Sequence, residues 1–270
     1  MAHAHTAPDA GKYYIPHGSK WPIVGSVSLF TMMLGAAALL NGVNIAPFIF
    51  WAGFAAVLYM FYGWFGTVIG ENQAGMYNAG VDRSFRMGMM WFIFSEVMFF
   101  AAFFGALYYV RHLSVPWLGG EGSRYLSNLL LWEGFEPGWP TNGPAAVGGS
   151  FGTIPAFGLP AINTAILLLS GVTITIAHHA LKENKRGVLK VFLAATFLLG
   201  FAFVGLQAEE YIHAYHELNL TLGSGVYGST FFMLTGFHGL HVTLGAIMLV
   251  VIWLRVMKGH FTPQQHFAFE

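Results

Sequence analysis

Six stretches of about twenty or more apolar residues, separated by shorter polar or glycine-rich connections, organise this chain. Read with a window of about 19 residues, they fall at Trp21 to Leu40, Ala46 to Ile69, Met87 to Val110, Leu159 to Ala180, Val188 to Ala208 and Phe231 to Leu254. A hydrocarbon layer about 30 Å thick is crossed by about 20 residues of helix, whereas a barrel strand needs only about 10. Each run is about twice the length of such a strand, and a helix satisfies its own backbone hydrogen bonds where water is absent. The pattern predicts an all-α, polytopic transmembrane helix bundle of six spans. It divides the chain into a polar tail at 1–20, a first helix pair at 21–69, a connection at 70–86 and a main bundle at 87–270 with a long loop at 111–158.

Composition narrows the chemistry. Only 9% of the 270 residues are charged and 56% are hydrophobic, outside the range of soluble domains. Twelve Lys plus Arg balance twelve Asp plus Glu, so nothing points to a nucleic-acid partner. The absence of Cys removes thiolate iron–sulfur clusters, thiolate-bridged copper and disulfides, and any metal would have to rest on His, Met or carboxylate. The first twenty residues lack the small-residue cleavage site that follows a signal-peptide core, and read as a tail outside the bilayer.

Charge sets the orientation. Lys12, Lys20, Arg83, Arg86, Lys182, Lys185, Arg186, Lys190, Arg255 and Lys258 fall on one side of the six spans, and only Arg111 and Arg124 on the other. Ten against two places the N-terminus on the cytoplasmic side, or on the matrix side if the chain is mitochondrial. The 111–158 loop then faces outward. It either packs onto the helix ends or a partner, with Trp117, Trp132 and Trp139 in an interfacial belt, or it is disordered.

Polar groups inside the spans carry the candidate chemistry. Glu96 lies roughly 14 Å into the third span at about 1.5 Å per residue, where ionised groups are costly. Phe92, Ile93, Phe99 and Phe100 occupy its i±3 and i±4 positions, so its partner must come from another helix. It is either a neutral acid joining two helices or a proton-handling or lipid-contacting group. The histidines form three pairs, His178 with His179, His213 with His216 and His238 with His241. A haem clamped by two of them needs both at one depth. Depth estimates instead separate His179 from His238 by about 20 Å and His213 from His238 by about 18 Å. Structural hydrogen bonding is the better reading for all six, and no metal is assigned. Glu209, Glu210, His213 and His216 gather where the fifth helix leaves the membrane, with Glu209 and His213 spaced like a metal-binding helix face. At an interface, a helix cap or partner contact is the better reading. Glycines inside the spans, Gly35, Gly53 and Gly63 among them, allow close helix approach.

The segments FIFSEVMFFAAFF (Phe92 to Phe104), LPAINTAILLLSGVTITIAHHAL (Leu159 to Leu181), GLQAEEY (Gly205 to Tyr211), VYGSTFFMLTGFHGLHVTLGAIML (Val226 to Leu249) and HFTPQQHFAFE (His260 to Glu270) closely resemble subunit III of cytochrome c oxidase, a haem-copper respiratory oxidase. The resemblance covers nearly the whole chain. It implies an accessory subunit without haem, copper or catalytic residues of its own, in the inner (plasma) membrane of a bacterial cell. The complex would couple electron flow from cytochrome c to oxygen with proton pumping through subunits I and II, which hold the haem and copper. The resemblance further implies that the first helix pair and the remaining bundle flank a cleft holding phospholipid. It makes Glu96 the membrane-embedded carboxyl of the family, and it carries lipid-cleft residues over to Trp64, Glu71 and Arg255. Arg255 is physically apt, being a cation at the cytoplasmic end of a span, level with phosphate head groups.

The chain departs from the family pattern at three places. Gly66 and Thr67 stand where Arg-Asp is usual, and Met76 and Tyr77 lie where many members carry a His pair. The family pattern also continues past the last motif into a tryptophan-rich seventh helix, whereas this sequence stops at Glu270. Truncation is expected, with loss of that helix or its replacement by another chain as the alternatives. Rival readings are subunit III of a quinol oxidase or a nitric-oxide-reductase-associated relative, a haem b electron carrier, and a proton-coupled transporter using Glu96. The first helix pair favours the cytochrome c branch.

Overall fold

The structure, a computed structural model, describes residues 14–15, 18–263, 266 and 269. Most of the polar tail, Lys12 included, lies outside the described residues. Among the described residues, eight α-helices follow in order: α1 (Trp21–Leu40), α2 (Ala46–Gln73), α3 (Ala79–Tyr109), α4 (Val115–Leu118), α5 (Tyr125–Leu131), α6 (Leu159–Lys182), α7 (Arg186–His216) and α8 (Gly225–Met257). No strand occurs among the described residues. Among the described residues, six helices are long and apolar enough to cross a membrane, α3 doing so as one run to Leu118. The chain is a multi-pass membrane protein. Its large apolar side chains are widely exposed, Phe30 by 68%, Met90 by 70% and Leu168 by 70%, as suits a lipid environment rather than water.

Several helices outrun their apolar runs. The predicted 70–86 connection shrinks to residues 74–78, because α2 continues to Gln73 and α3 begins at Ala79. Local polar chemistry supports this. The Val81 N–H donates to Asn78 Oδ1 at 3.0 Å, and Arg86 pairs with Asp82 one turn earlier at 2.9 Å. Likewise α7 runs past the expected Ala208 to His216, and α8 starts at Gly225 rather than Phe231. Hydropathy reads the lipid-facing length, whereas the hydrogen-bond ladder continues into the interface. Pro116 lacks the N–H that would meet the His112 carbonyl, and just before it Val110–Ser114 forms a π-helical turn.

Helix contacts group the chain into two compact units, residues 1–91 and 92–270. In the first, α1 and α2 form an antiparallel hairpin built on glycine. A Cβ added at Gly35 would collide with the Phe50 backbone, and one at Gly53 with the Met32 backbone. Backbones this close gain dispersion contacts that side chains would block, which matters where lipid offers no hydrophobic drive for association. In the second unit α6, α7 and α8 pack in sequence, with α6 and α7 joined by a three-residue turn. Their shared core near that turn contains Ala177, Leu181, Leu189, Leu193, Val256 and Phe261. The 111–158 segment is ordered. Asn128 Nδ2 donates to the carbonyls of Leu118, Trp132 and Phe135, and Asn219 Nδ2 donates to those of Gly148 and Ser150. Side-chain amides thus satisfy loop carbonyls that have no ladder partner.

Candidate functional site: an intramembrane acid–imidazole pair

Glu96 meets His241. α3 carries the carboxyl and α8 the imidazole, and Glu96 Oε2 lies 2.5 Å from His241 Nε2. His241 Nδ1 is 2.6 Å from the Phe237 carbonyl, one turn earlier on α8. A carbonyl only accepts, so Nδ1 carries a hydrogen. The short contact at Nε2 then requires a second one, placed either on the carboxyl, as O–H···N, or on the ring, as O⁻···H–N⁺. Both forms are electrically neutral overall and differ only in where one proton sits. An isolated carboxylate at this depth would face low-dielectric surroundings, and the pair removes that net charge.

Aromatic rings wall the pair. Phe100 lies 5.2 Å from the His241 ring and Phe99 lies 6.1 Å away, while Phe99 and Phe103 both contact Phe237. These rings restrict rotamers and keep water away from one flank. The other flank remains open, with about a third of each side chain of the pair exposed.

The remaining histidines go elsewhere. His238, one turn from His241, packs edge-on against Phe203 of α7 at 5.5 Å. His178 lies against His266 and Phe269, so the segment after α8 folds back on α6. His179 and His213 are exposed. Glu209 and Glu210 part company, Glu209 being exposed while Glu210 turns inward with 5% exposure. The metal-like spacing of Glu209 and His213 therefore sits on an open helix face. Among the described residues, no group of three or more His, Cys, Asp or Glu is placed to hold a metal.

The lipid candidates have distinct surroundings. On α2, Trp64 is 47% exposed and stacks on Phe65, and Glu71 stands two turns beyond it. Tyr14 donates to Glu71 Oε1 at 3.0 Å and Tyr77 to Oε2 at 2.6 Å, so both carboxylate oxygens have phenol donors. Burial, reinforced by hydrogen bonding to Glu71, pushes the Tyr14 and Tyr77 hydroxyls above their ordinary range. Thr67 takes a structural part, accepting from Trp21 Nε1 at 3.1 Å. Arg255, on α8 in the other unit, is 93% buried, its guanidinium 4.4 Å from the Phe261 ring centre. Its Nε and Nη2 have no hydrogen-bond partner among the described residues. Nearby His260 is held below its usual range by burial, with Arg255 and Lys258 adding repulsion.

His241 is the residue that sequence reading missed as the partner of Glu96. Depth alone was a weak signal: counted from the Lys- and Arg-rich ends of their spans, Glu96 lies about 14 Å in and His241 about 20 Å in, a gap of about 6 Å.

The family model described as "Cytochrome c oxidase subunit III" matches residues 11–122 and 139–270. "Cytochrome c oxidase subunit 3" of Carassius auratus is 37% identical over 98% of this chain and 90% of its own length. That of Squalus acanthias shows the same identity and coverage. The Oryctolagus cuniculus protein of that name is 38% identical over 96% of this chain and 88% of its own length.

Proposed function

The chain belongs to the cytochrome c oxidase subunit III family and is a non-catalytic subunit of a terminal oxidase, and from that premise we propose that it acts as a lipid-holding brace for subunit I. The partners are subunits I and II, which hold the haem and copper and receive electrons from cytochrome c. The observation that carries this reading is the neutral Glu96–His241 pair. Glu96, in the middle of a span, is committed to tying α3 to α8, and its open flank leaves a proton accessible to a neighbour. Such a group holds helices in place without moving electrons.

The lipid role rests on Arg255 in one unit and on Trp64 and Glu71 in the other. The Arg255 guanidinium, with Nε and Nη2 enclosed by this chain, meets a phosphate oxygen through Nη1. An exposed indole suits an acyl chain, and a carboxylate two turns further along α2 suits a cationic head group. The bracing role draws on α3, which leaves Met90, Trp91 and Val97 uncovered by 70%, 68% and 59%. The charge asymmetry orients the chain with its N-terminus on the cytoplasmic side of the inner (plasma) membrane. Arg255 then lies in the cytoplasmic leaflet, where the brace supports proton uptake by the complex.

Purification of the chain in mild detergent tests this. Haem-bearing and copper-bearing subunits should accompany it together with phospholipid, and the chain separated from them should show no Soret absorbance. A stoichiometric haem on the separated chain, or solute uptake by the chain alone in proteoliposomes, would refute the reading.

A further inference from the structure

The seam between α6 and α7 holds a polar feature that neither the intramembrane pair nor the lipid residues use. Thr173 and Thr196 mark its register, their hydroxyl oxygens meeting at 2.9 Å between the two antiparallel helices. Asn163 and Thr173 are buried on α6, as are Thr196, Phe203 and Glu210 on α7. From Thr173 back to Asn163 is about 15 Å at about 1.5 Å per residue, and the same distance along α7 from Thr196 ends at Leu206, between Phe203 and Glu210. Glu210 stands one turn, about 6 Å, beyond that level, so both buried polar residues lie at the end of the seam remote from the α6–α7 turn.

Both are incompletely satisfied. Asn163 is 3% exposed, and neither its Nδ2 nor its Oδ1 has a hydrogen-bond partner among the described residues. Glu210 Oε2 accepts from Gln207 Nε2 at 3.3 Å, while its Oε1 is buried with no partner among those residues. Buried polar atoms are nearly always matched, by protein or by ordered water. This chain alone already encloses these three atoms, so neither a lipid nor a neighbouring subunit reaches them. The matching group has to be small and internal.

We propose that this end of the α6–α7 seam encloses an ordered water that bridges the Asn163 carboxamide and the Glu210 carboxyl. A water both donates and accepts, so it serves the amide N–H as acceptor and an oxygen as donor. A metal cation would match the oxygens but leave Asn163 Nδ2 facing a positive charge. The bridge also sets register. Sliding α7 by one turn would separate Asn163 from Glu210 and strand both in an apolar seam, so the water specifies one pairing of two helices whose apolar residues tolerate several.

A structure of the assembled oxidase at a resolution that shows ordered water decides the matter. The expected result is one water density about 2.7–3.2 Å from both an Asn163 amide atom and Glu210 Oε1. The Glu210→Gln variant should keep that water, because its amide still offers an acceptor and a donor. Asn163→Leu should lose it. A direct Asn163–Glu210 hydrogen bond with no density between them would overturn the proposal, as would a feature at the shorter distance of about 2.3–2.6 Å that marks a hard cation. If Asn163→Leu fails to assemble, the unaltered complex and Glu210→Gln still give the answer.

Discussion

Glu96 and Glu71 are both half-buried carboxyls on helices of one chain, yet they are satisfied in opposite ways. Glu71, at the end of α2, receives two phenol hydrogens and gives none. Glu96, inside α3, faces an imidazole already committed to a backbone carbonyl, so a single proton has to be shared between them. The difference follows from surroundings. At the membrane edge a carboxylate keeps its charge with the help of neutral donors and water. Inside the span the charge itself has to be cancelled, and an imidazole does that while a phenol does not. An acid–imidazole couple therefore marks depth, and a two-tyrosine clamp marks an interface.

The largest expected effect comes from splitting the couple. His241→Leu leaves the Glu96 carboxyl without its partner in an aromatic wall, and breaking such a buried pair costs about 3 kcal/mol. Release of the chain from the complex by heat or detergent should shift accordingly. Glu96→Leu combined with His241→Leu should recover most of that loss, since removing both partners leaves no orphan. A double variant as unstable as the single one would show that the two residues are not coupled.

Glu71→Leu should cost less, about 1–2 kcal/mol, because the two freed hydroxyls at the membrane edge turn to water. Tyr77→Phe should cost about half as much, removing the 2.6 Å bond and leaving Tyr14 on the other oxygen. The same release assay ranks these variants against His241→Leu. A Glu71 variant worse than the His241 variant would reverse the depth argument. Below both lies Glu96→Gln. Its amide N–H still donates to His241 Nε2, so assembly should survive with a loss of about 1 kcal/mol or less, and oxygen consumption should change only modestly. Complete loss of oxygen reduction in a correctly assembled complex would contradict the accessory role.

How far the sequence foretold this depends on the length scale of the interaction. The six spans were legible because each is one long apolar run, and even α6 begins at the expected Leu159. Helix ends were not, since Asn78, Asp82 and Arg86 extend α3 through polar contacts that hydropathy discards. The isolation of Glu96 on its own helix was legible from the neighbouring phenylalanines. Its pairing with His241 was not, because no local pattern encodes which residues 145 positions apart share a depth and a face. Glu71 shows the same limit at shorter range. Tyr77 reads only as a departure from a family pattern until folding turns its hydroxyl onto the carboxylate. The split between Glu209 and Glu210, one exposed and its neighbour buried, follows from the 100° step of a helix. It became assignable only once the packed face of α7 was known.

The smallest effect is an alkaline one, confined to the Glu71 end of the comparison. Burial and the adjacent carboxylate raise the Tyr14 and Tyr77 hydroxyls above their ordinary values, so the folded chain holds these protons more tightly than the unfolded chain does. Their contribution is fully present below about pH 10, where unfolded tyrosine is still neutral, and is lost as pH rises from there through the raised folded values. Thermal release of the chain should be flat with respect to these groups near neutrality and should weaken above about pH 10. Tyr77→Phe should make that alkaline decline shallower, and Glu71→Gln should do the same by removing the negative charge beside both phenols. An unchanged decline in both variants would mean that other groups govern the alkaline limit, and the tyrosine clamp would then be no more than a pair of ordinary surface hydrogen bonds.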